Sequence, residues 1–247
     1  MTRNLRAWLG DGPLSLDLLD ARLLRGTLPE DAQAVRKVWR RAKYCVIERE
    51  DDAWVLHFRM TGKVVLERPG GKLRARLLTM GTPVHFLDAR CLGELVVLPR
   101  GELKAHFQAK QLGPEPFPEP QGAAWWEDRL HGLRGALKPA LMRQDRIAGL
   151  GNIAASEICF RAGVDPRTLV PQVQSWDRIA DQAWAFLHEV IEQESGPEIH
   201  YVNEAGSSNP FQVYGREGED CPCCGAPIQR FLQSARSTFA CPMCQGT

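Results

Sequence analysis

Four cysteines near the C-terminus have the types and spacing that could do chemistry. Cys221 and Cys224 form one C-x2-C knuckle, and Cys241 and Cys244 form another after sixteen intervening residues. Thiolates in two such knuckles can converge tetrahedrally on one Zn2+, each knuckle placing two sulfurs at the same end of a short β-hairpin. The intervening PIQRFLQSARSTFA then reads as that hairpin, with Arg236 near its turn. Two redox C-x-x-C motifs or an incidental disulfide are the alternatives. The absence of a secretory signal in MTRNLRAWLGDG favours zinc over both. Cys223 is a fifth thiol inside the first knuckle and could exchange with a neighbour. A second cluster is the Gly149-Leu-Gly151-Asn152 turn between two apolar segments. Its backbone N–H groups and the next helix's N-terminus could face a phosphate, as in helix-turn-helix DNA binders. An ordinary helical hairpin also needs glycine there, and on this feature alone it is the simpler reading.

The elements that must position these groups divide the chain. The apolar fraction of 44% is that of a soluble globular protein, and the 247 residues suffice for one large or two ordinary domains. No apolar run is long enough to span a membrane, so a cytoplasmic protein is expected. A net charge of +1 does not announce a nucleic-acid partner, so any DNA site must be a local basic patch. Up to about Pro99 the chain reads as short strands: KYCVIERE, AWVLHFRM, GKVVLER, LRARLLTM and ELVVLP, parted by turn residues. This pattern predicts an antiparallel sandwich or barrel. Helices are expected over Leu14 to Leu24 and over AQAVRKVWRRA. GPEPFPEPQG, residues 113–122, is too rich in proline and glycine for either helix or ladder and reads as a linker. Beyond it AAWWEDRLHGLRG, LKPALMRQDRIAG, GNIAASEICFRAG and SWDRIADQAWAFLHEVIEQES carry helical apolar spacing. The expected fold is α+β: an N-terminal antiparallel β-sandwich over 1–112, a helical domain over 123–211 and a zinc hairpin over 212–247.

RRAKY (Arg40 to Tyr44), HFRMTG (His57 to Gly62), LKPALM, GLGNIAASE (Gly149 to Glu157), YVNEAG, VYGREGEDCPCCG and ARSTFACPMC follow one another in an order that resembles the formamidopyrimidine-DNA glycosylase and endonuclease VIII family. These are base-excision repair enzymes acting on oxidised bases and abasic sites. The resemblance implies a helix–two-turn–helix domain, one structural Zn2+, and a monomer bound to damaged or abasic double-stranded DNA in a bacterial-type nucleoid. It implies a phosphate grip of Lys43, His57, Asn152 and Arg236, with Tyr214 as a further contact to the DNA backbone. Lysine and arginine supply charge-assisted donors, while the amide and imidazole add directed N–H groups. It implies insertion of Met60, Arg90 and Leu92 into the gap left by an extruded base. Leu92 stands where an aromatic residue usually stacks, and Arg90–Cys91 replaces a doubled arginine, so wedging is expected with weaker stacking.

At the N-terminus the resemblance breaks. Family members begin, after methionine, Pro-Glu-Leu-Pro-Glu, where the proline amine attacks the sugar C1′ and the glutamate shuttles protons. Counted back from LLDARLL, Thr2 and Arg3 occupy those two positions, and no carboxylate precedes Asp11. Arginine cannot act as the acid, since it holds its proton at working pH. With Met1 removed, the α-amine of Thr2 could still condense with an abasic-site aldehyde, its unperturbed pKa being about 8. Lys43 is a second candidate amine. The stretch from Asn203 to Val213 is short for enclosing an everted purine. The expectation is therefore a damaged-DNA binder with base excision lost and at most weak lyase activity. The alternatives are an active enzyme using the Thr2 amine with a carboxylate from elsewhere, such as Glu157, or a zinc-dependent protein-interaction adaptor.

Overall fold

A computed structural model describes residues 2–67, 71–193 and 209–246, which fall into two compact units on either side of the Lys110–Gln111 bond. In the first unit, helix α1 (Thr2–Leu9) precedes β1 (Pro13–Leu18), β2 (Leu24–Arg25), β3 (Gln33–Ala34), β4 (Lys37–Arg41) and β5 (Tyr44–Glu48). There follow β6 (Asp52–His57), β7 (Gly62–Val65), β8 (Leu73–Leu78), β9 (Val84–Asp88), β10 (Glu94–Pro99) and helix α2 (Leu103–Ala109). The strands form two five-stranded sheets, ordered β3-β1-β8-β9-β7 and β2-β10-β6-β5-β4. All pairings are antiparallel except β10 with β2.

Alternation along the strands explains the layers. Leu14, Val64, Ala75, Leu77 and Phe86 of one sheet pack with Val38, Cys45, Ile47, Trp54, Leu56 and Leu95 of the other, and Leu5 and Leu9 of α1 join the same core. Residues one step along, Val46, Ala53, Val55 and Leu98, face the opposite way and are covered by Leu103 and Phe107 of α2. The second sheet is thus buried on both faces, which is why its strands are nearly continuous apolar runs.

The helix expected over Leu14–Leu24 is instead β1 followed by a 3-10 turn at Ala21–Leu23. LSLDL alternates as a strand does, and only the continuation through Leu19 and Leu23 carries helical spacing. The strand prevails because Ser15 to Leu18 pair in register with Leu78 to Ala75, which buries Leu14 in the sandwich. AQAVRKVWRRA is likewise β3 and β4, with Val38 facing inward and Trp39 lying 5.8 Å from the Phe107 ring. Helices α1 and α2 and strand β9 have no counterpart among the expected elements.

The second unit holds α3 (Ala123–Leu130), α4 (Leu137–Leu141), α5 (Asn152–Arg161) and α6 (Trp176–Gln193), then β11 (Gln229–Gln233), β12 (Arg236–Ala240) and α7 (Pro242–Gln245). Trp126, Leu130, Leu141, Ile158, Ile179 and Phe186 build the helical core. A separate small core of Phe160, Val213, Ile228, Phe239, Cys221 and Cys241 lies under the hairpin. The proline-rich stretch is sewn into this unit at its start, where the Gly113 N–H donates to Gln144 O and the Ala148 N–H to Pro114 O. Residues 203–208 of the short capping stretch, and the YVNEAG string with them, lie outside the described residues.

Candidate nucleic-acid interface and metal centre

In the first unit Lys43 and His57 stand at one end of the second sheet. β4 and β5 are joined by a two-residue loop, Ala42–Lys43, with Ala42 at φ 51°. The tight reversal leaves Lys43 exposed at its tip. Tyr44, the next residue, pairs with His57 on β6, and His57 pairs with Glu94 on β10. The Tyr44 ring meets the imidazole edge-on at 4.7 Å, and Lys110 Nζ sits 4.8 Å above the same ring.

The His57 imidazole is held in one role. Burial, with the positive charges of Arg59, Lys43 and Lys110 around it, pulls its pKa from 6.5 down to about 4, against a smaller opposing pull from Glu94. The ring is therefore neutral at physiological pH. Its Nδ1 accepts the Arg59 backbone N–H at 3.1 Å, so the proton must reside on Nε2, which is left as a donor. A folded-state pKa below the ordinary value means the unfolded chain binds the proton first on acidification. Stability from this site is thus present above pH 6.5 and lost as pH falls toward 4. An NMR titration of the free protein should give His57 a midpoint near 4, and a midpoint near 6.5 would contradict the burial described here.

Beyond His57 the chain turns sharply, with Arg59 at φ 54° and the Gly62 N–H donating to Phe58 O at 2.9 Å. This turn projects Met60, which is 74% exposed. Arg90 and Leu92 project from the turn between β9 and β10, Leu92 being 45% exposed. Large apolar side chains standing in water at turns have no packing role in the free protein.

Thr2 opens α1, whose first turn carries no carboxylate. Its side chain hydrogen-bonds Cys45, and burial pushes that thiol up to about 11, too high for a proton shuttle at neutral pH.

In the second unit Gln144 braces the glycine turn, accepting the Gly149 N–H at 3.0 Å and donating to Met142 O and Leu150 O. Gly149 has φ 102°, a conformation that favours glycine. Asn152 then begins α5. Its Nδ2 donates to Ser237 O at 2.9 Å and its Oδ1 accepts from Lys138 Nζ at 2.7 Å, so one of its two amide hydrogens is already engaged with the hairpin. Lys138 is 1% exposed and also donates to Thr238 Oγ1 at 2.8 Å and Ser237 O at 3.2 Å. The family resemblance takes in LKPALM without giving Lys138 a role. A lysine flanked by the buried Leu137, Ala140 and Leu141 was the one available signal.

β11 and β12 are joined by Ser234–Ala235, both in the left-handed region (φ 49° and 59°), the pattern of a two-residue I′ hairpin turn. Arg236 follows it directly and is exposed. Tyr214 packs its ring against Phe239 at 5.1 Å. Its backbone N–H donates to Glu157 Oε1 at 3.0 Å.

Glu157 is already engaged and is not free to act as an acid. It is 0% exposed and also accepts the N–H groups of Gln212 and Val213 at 3.0 and 2.9 Å, clasping residues 212–214 onto α5.

The four cysteine sulfurs of the paired knuckles all lie within 4.8 Å of one another, with Cys221–Cys244 at 3.8 Å and Cys224–Cys241 at 3.4 Å. A tetrahedral ion with metal–sulfur bonds of about 2.3 Å requires sulfurs about 3.8 Å apart. Backbone N–H groups of Cys223 and Cys244 point at the sulfurs of Cys221 and Cys241, the arrangement expected around thiolates. Cys223 itself is exposed and outside the cluster. No helix among the described residues is long and apolar enough to cross a membrane.

Two protein-family models match: the formamidopyrimidine-DNA glycosylase N-terminal domain over residues 15–95 and its H2TH domain over residues 112–200. A formamidopyrimidine-DNA glycosylase of Burkholderia cenocepacia is 35% identical over 228 residues, covering 87% of this chain and 83% of its own. One from Burkholderia thailandensis is 34% identical over 244 residues, covering 90% and 88%. Among solved structures, MutM in complex with DNA containing carbocyclic 8-oxo-G superposes with a TM-score of 0.85 at 27% identity, over 100% of this chain and 97% of that one. The Lactococcus lactis Fpg complex with abasic-site DNA gives the same values.

Proposed function

The chain belongs to the formamidopyrimidine-DNA glycosylase family, and from that premise we propose that it binds double-stranded DNA at abasic or distorted sites, with base excision lost and at most slow lyase activity. Lys43, His57, Asn152, Tyr214 and Arg236 would grip phosphates, and Met60, Arg90 and Leu92 would fill the space of an extruded base. Zn2+ is the ion we assign to the four cysteines, since an all-thiolate tetrahedral set suits it and it would serve to fold the hairpin that carries Arg236.

The observation that carries this reading is the exposed cation at the Lys43 tip beside the neutral, donor-locked His57, with the solvent-facing Met60 and Leu92 on neighbouring turns. Base excision needs an acid to protonate the leaving base or the sugar ring, and Glu157, the alternative considered for that role, already accepts three backbone N–H groups. A lyase step needs less. With Met1 removed, the Thr2 amine would add to the C1′ aldehyde with loss of water, and the resulting imine would acidify the C2′ proton so that the 3′ phosphate leaves.

Gel shifts with a tetrahydrofuran abasic analogue against intact duplex test the recognition, and equal affinities would sink it. Arg236→Ala should weaken binding about tenfold, as expected for one charge-assisted contact. Borohydride trapping on abasic DNA reports the imine, and loss of the trapped complex on extending the N-terminus would identify the Thr2 amine. Release of 8-oxoguanine from duplex DNA would refute the loss of base excision.

A further inference from the structure

The two wedge-bearing turns are tied together by one hydrogen-bond network centred on the buried Asp88. We propose that Thr61 and Asp88 are positioning residues that fix Met60, Arg90 and Leu92 as a preformed wedge. The proposal rests on the damaged-DNA reading above and adds to it the residues that aim the inserted side chains.

Asp88 closes β9 and is 0% exposed. Its Oδ1 accepts the Thr61 hydroxyl at 2.5 Å, and its Oδ2 accepts the Gly93 N–H at 2.6 Å. The Thr61 oxygen in turn accepts the Arg90 N–H at 3.2 Å. A single hydroxyl thus receives a bond from the Arg90 turn and gives one to the carboxylate at the base of that turn, while standing next to Met60. Arg74, also 0% exposed, completes the network: Nη1 reaches Asp88 Oδ2 at 3.2 Å and Gly93 O at 3.1 Å, and Nε reaches Asp20 at 3.1 Å. Gly93 is pressed against this centre, since a Cβ there would stand 2.9 Å from Phe86 Cζ and 3.0 Å from Asp88 Oδ2. Both ends of the Arg90–Leu92 turn are therefore pinned to one carboxylate.

Stability alone is a poor reason for the arrangement. A buried ion pair of this kind is often matched or bettered by packed apolar side chains of similar volume. What the polar version adds is direction, because its hydrogen bonds end on the backbone of turns whose own side chains face solvent. An insertion wedge gains from such preorganisation, since side chains and loops already ordered lose less entropy on binding.

Thr61→Val keeps the shape and removes the hydroxyl, while Thr61→Ser restores it. The readout is 2-aminopurine fluorescence beside a tetrahydrofuran site, which rises when a wedge unstacks the base, together with the ratio of affinities for abasic and intact duplex. The wild-type protein and Thr61→Ser should show the rise. Thr61→Val should lose most of it, with the affinity ratio falling about tenfold for two hydrogen bonds removed. Should valine not be accommodated, Thr61→Ala makes the same test. A rise and ratio like the wild type's in the variant without the hydroxyl would overturn the brace. A wild-type protein with neither rise nor preference would overturn the damaged-DNA reading and the brace with it.

Discussion

Stripping the metal from the cysteine cluster is expected to melt the hairpin and abolish DNA binding while the helical core of the same unit stays folded. A two-stranded hairpin is at best marginal in water. Here β11 and β12 are joined through a turn of two non-glycine residues at positive φ, which adds strain. The small core beneath them includes two of the ligands themselves, Cys221 and Cys241. Phe160, Val213, Ile228 and Phe239 and the bonds from Lys138 and Asn152 to β12 also hold the segment, but a structural zinc contributes more, about 10–16 kcal/mol of apparent folding free energy in small fingers at neutral pH. The helical core of α3 to α6 has its own apolar cluster and does not depend on those ligands. Chelation followed by circular dichroism and gel shift checks both halves, and Cys241→Ser should behave as the chelated protein does. Metal-free protein, verified by metal analysis, that still bound abasic DNA would contradict the role given to Arg236.

Lys138→Met should destabilise the second unit by about 1–3 kcal/mol, the cost of leaving buried neutral acceptors without their donor. The ammonium has three N–H groups and the structure supplies three acceptors: Asn152 Oδ1, Ser237 O and Thr238 Oγ1. Methionine fills the space and leaves all three without that donor. Because two of the acceptors lie on β12 and one at the start of α5, abasic-DNA affinity should fall as well. The pH dependence gives an independent check. Burial lowers the Lys138 pKa from 10.5 to about 8, with Arg236 adding to the effect. Between those values the unfolded chain keeps a proton that the folded chain has released, so stability should rise with pH over about 8 to 10.5. Denaturant titrations should show this slope in the wild-type protein and lose it in Lys138→Met.

What was legible in the sequence follows from where each signal resides. The cysteine cluster could be read because its chemistry is written in local spacing, and β5 to β8 because their apolar runs end at turn residues. The Leu14–Leu24 stretch joins an alternating start to a helically spaced continuation, and pairing of its first half with β8, some sixty residues on, makes that half a strand. Met60, Arg90 and Leu92 were singled out through matched strings, but the groups that hydrogen-bond their turns were not. Asp88 meets Thr61 across 27 residues and Lys138 meets Thr238 across 100, and no spacing rule reaches that far. Glu157 looked like a mobile acid and is a clasp, because its partners are backbone N–H groups that a sequence does not display.

The locked imidazole of His57 has a consequence for how salt acts on this protein. Each phosphate neutralised by a cation releases condensed counterions, and affinity falls with salt in proportion, with a slope of about 0.9 per contact on duplex DNA. A neutral imidazole held as an Nε2–H donor neutralises nothing, and neither do the Asn152 amide or the Tyr214 phenol. Of the five proposed contacts only Lys43 and Arg236 belong to the screened part. Raising the ionic strength should therefore lower abasic-DNA affinity with a slope of about 2, well short of what five cationic contacts would give.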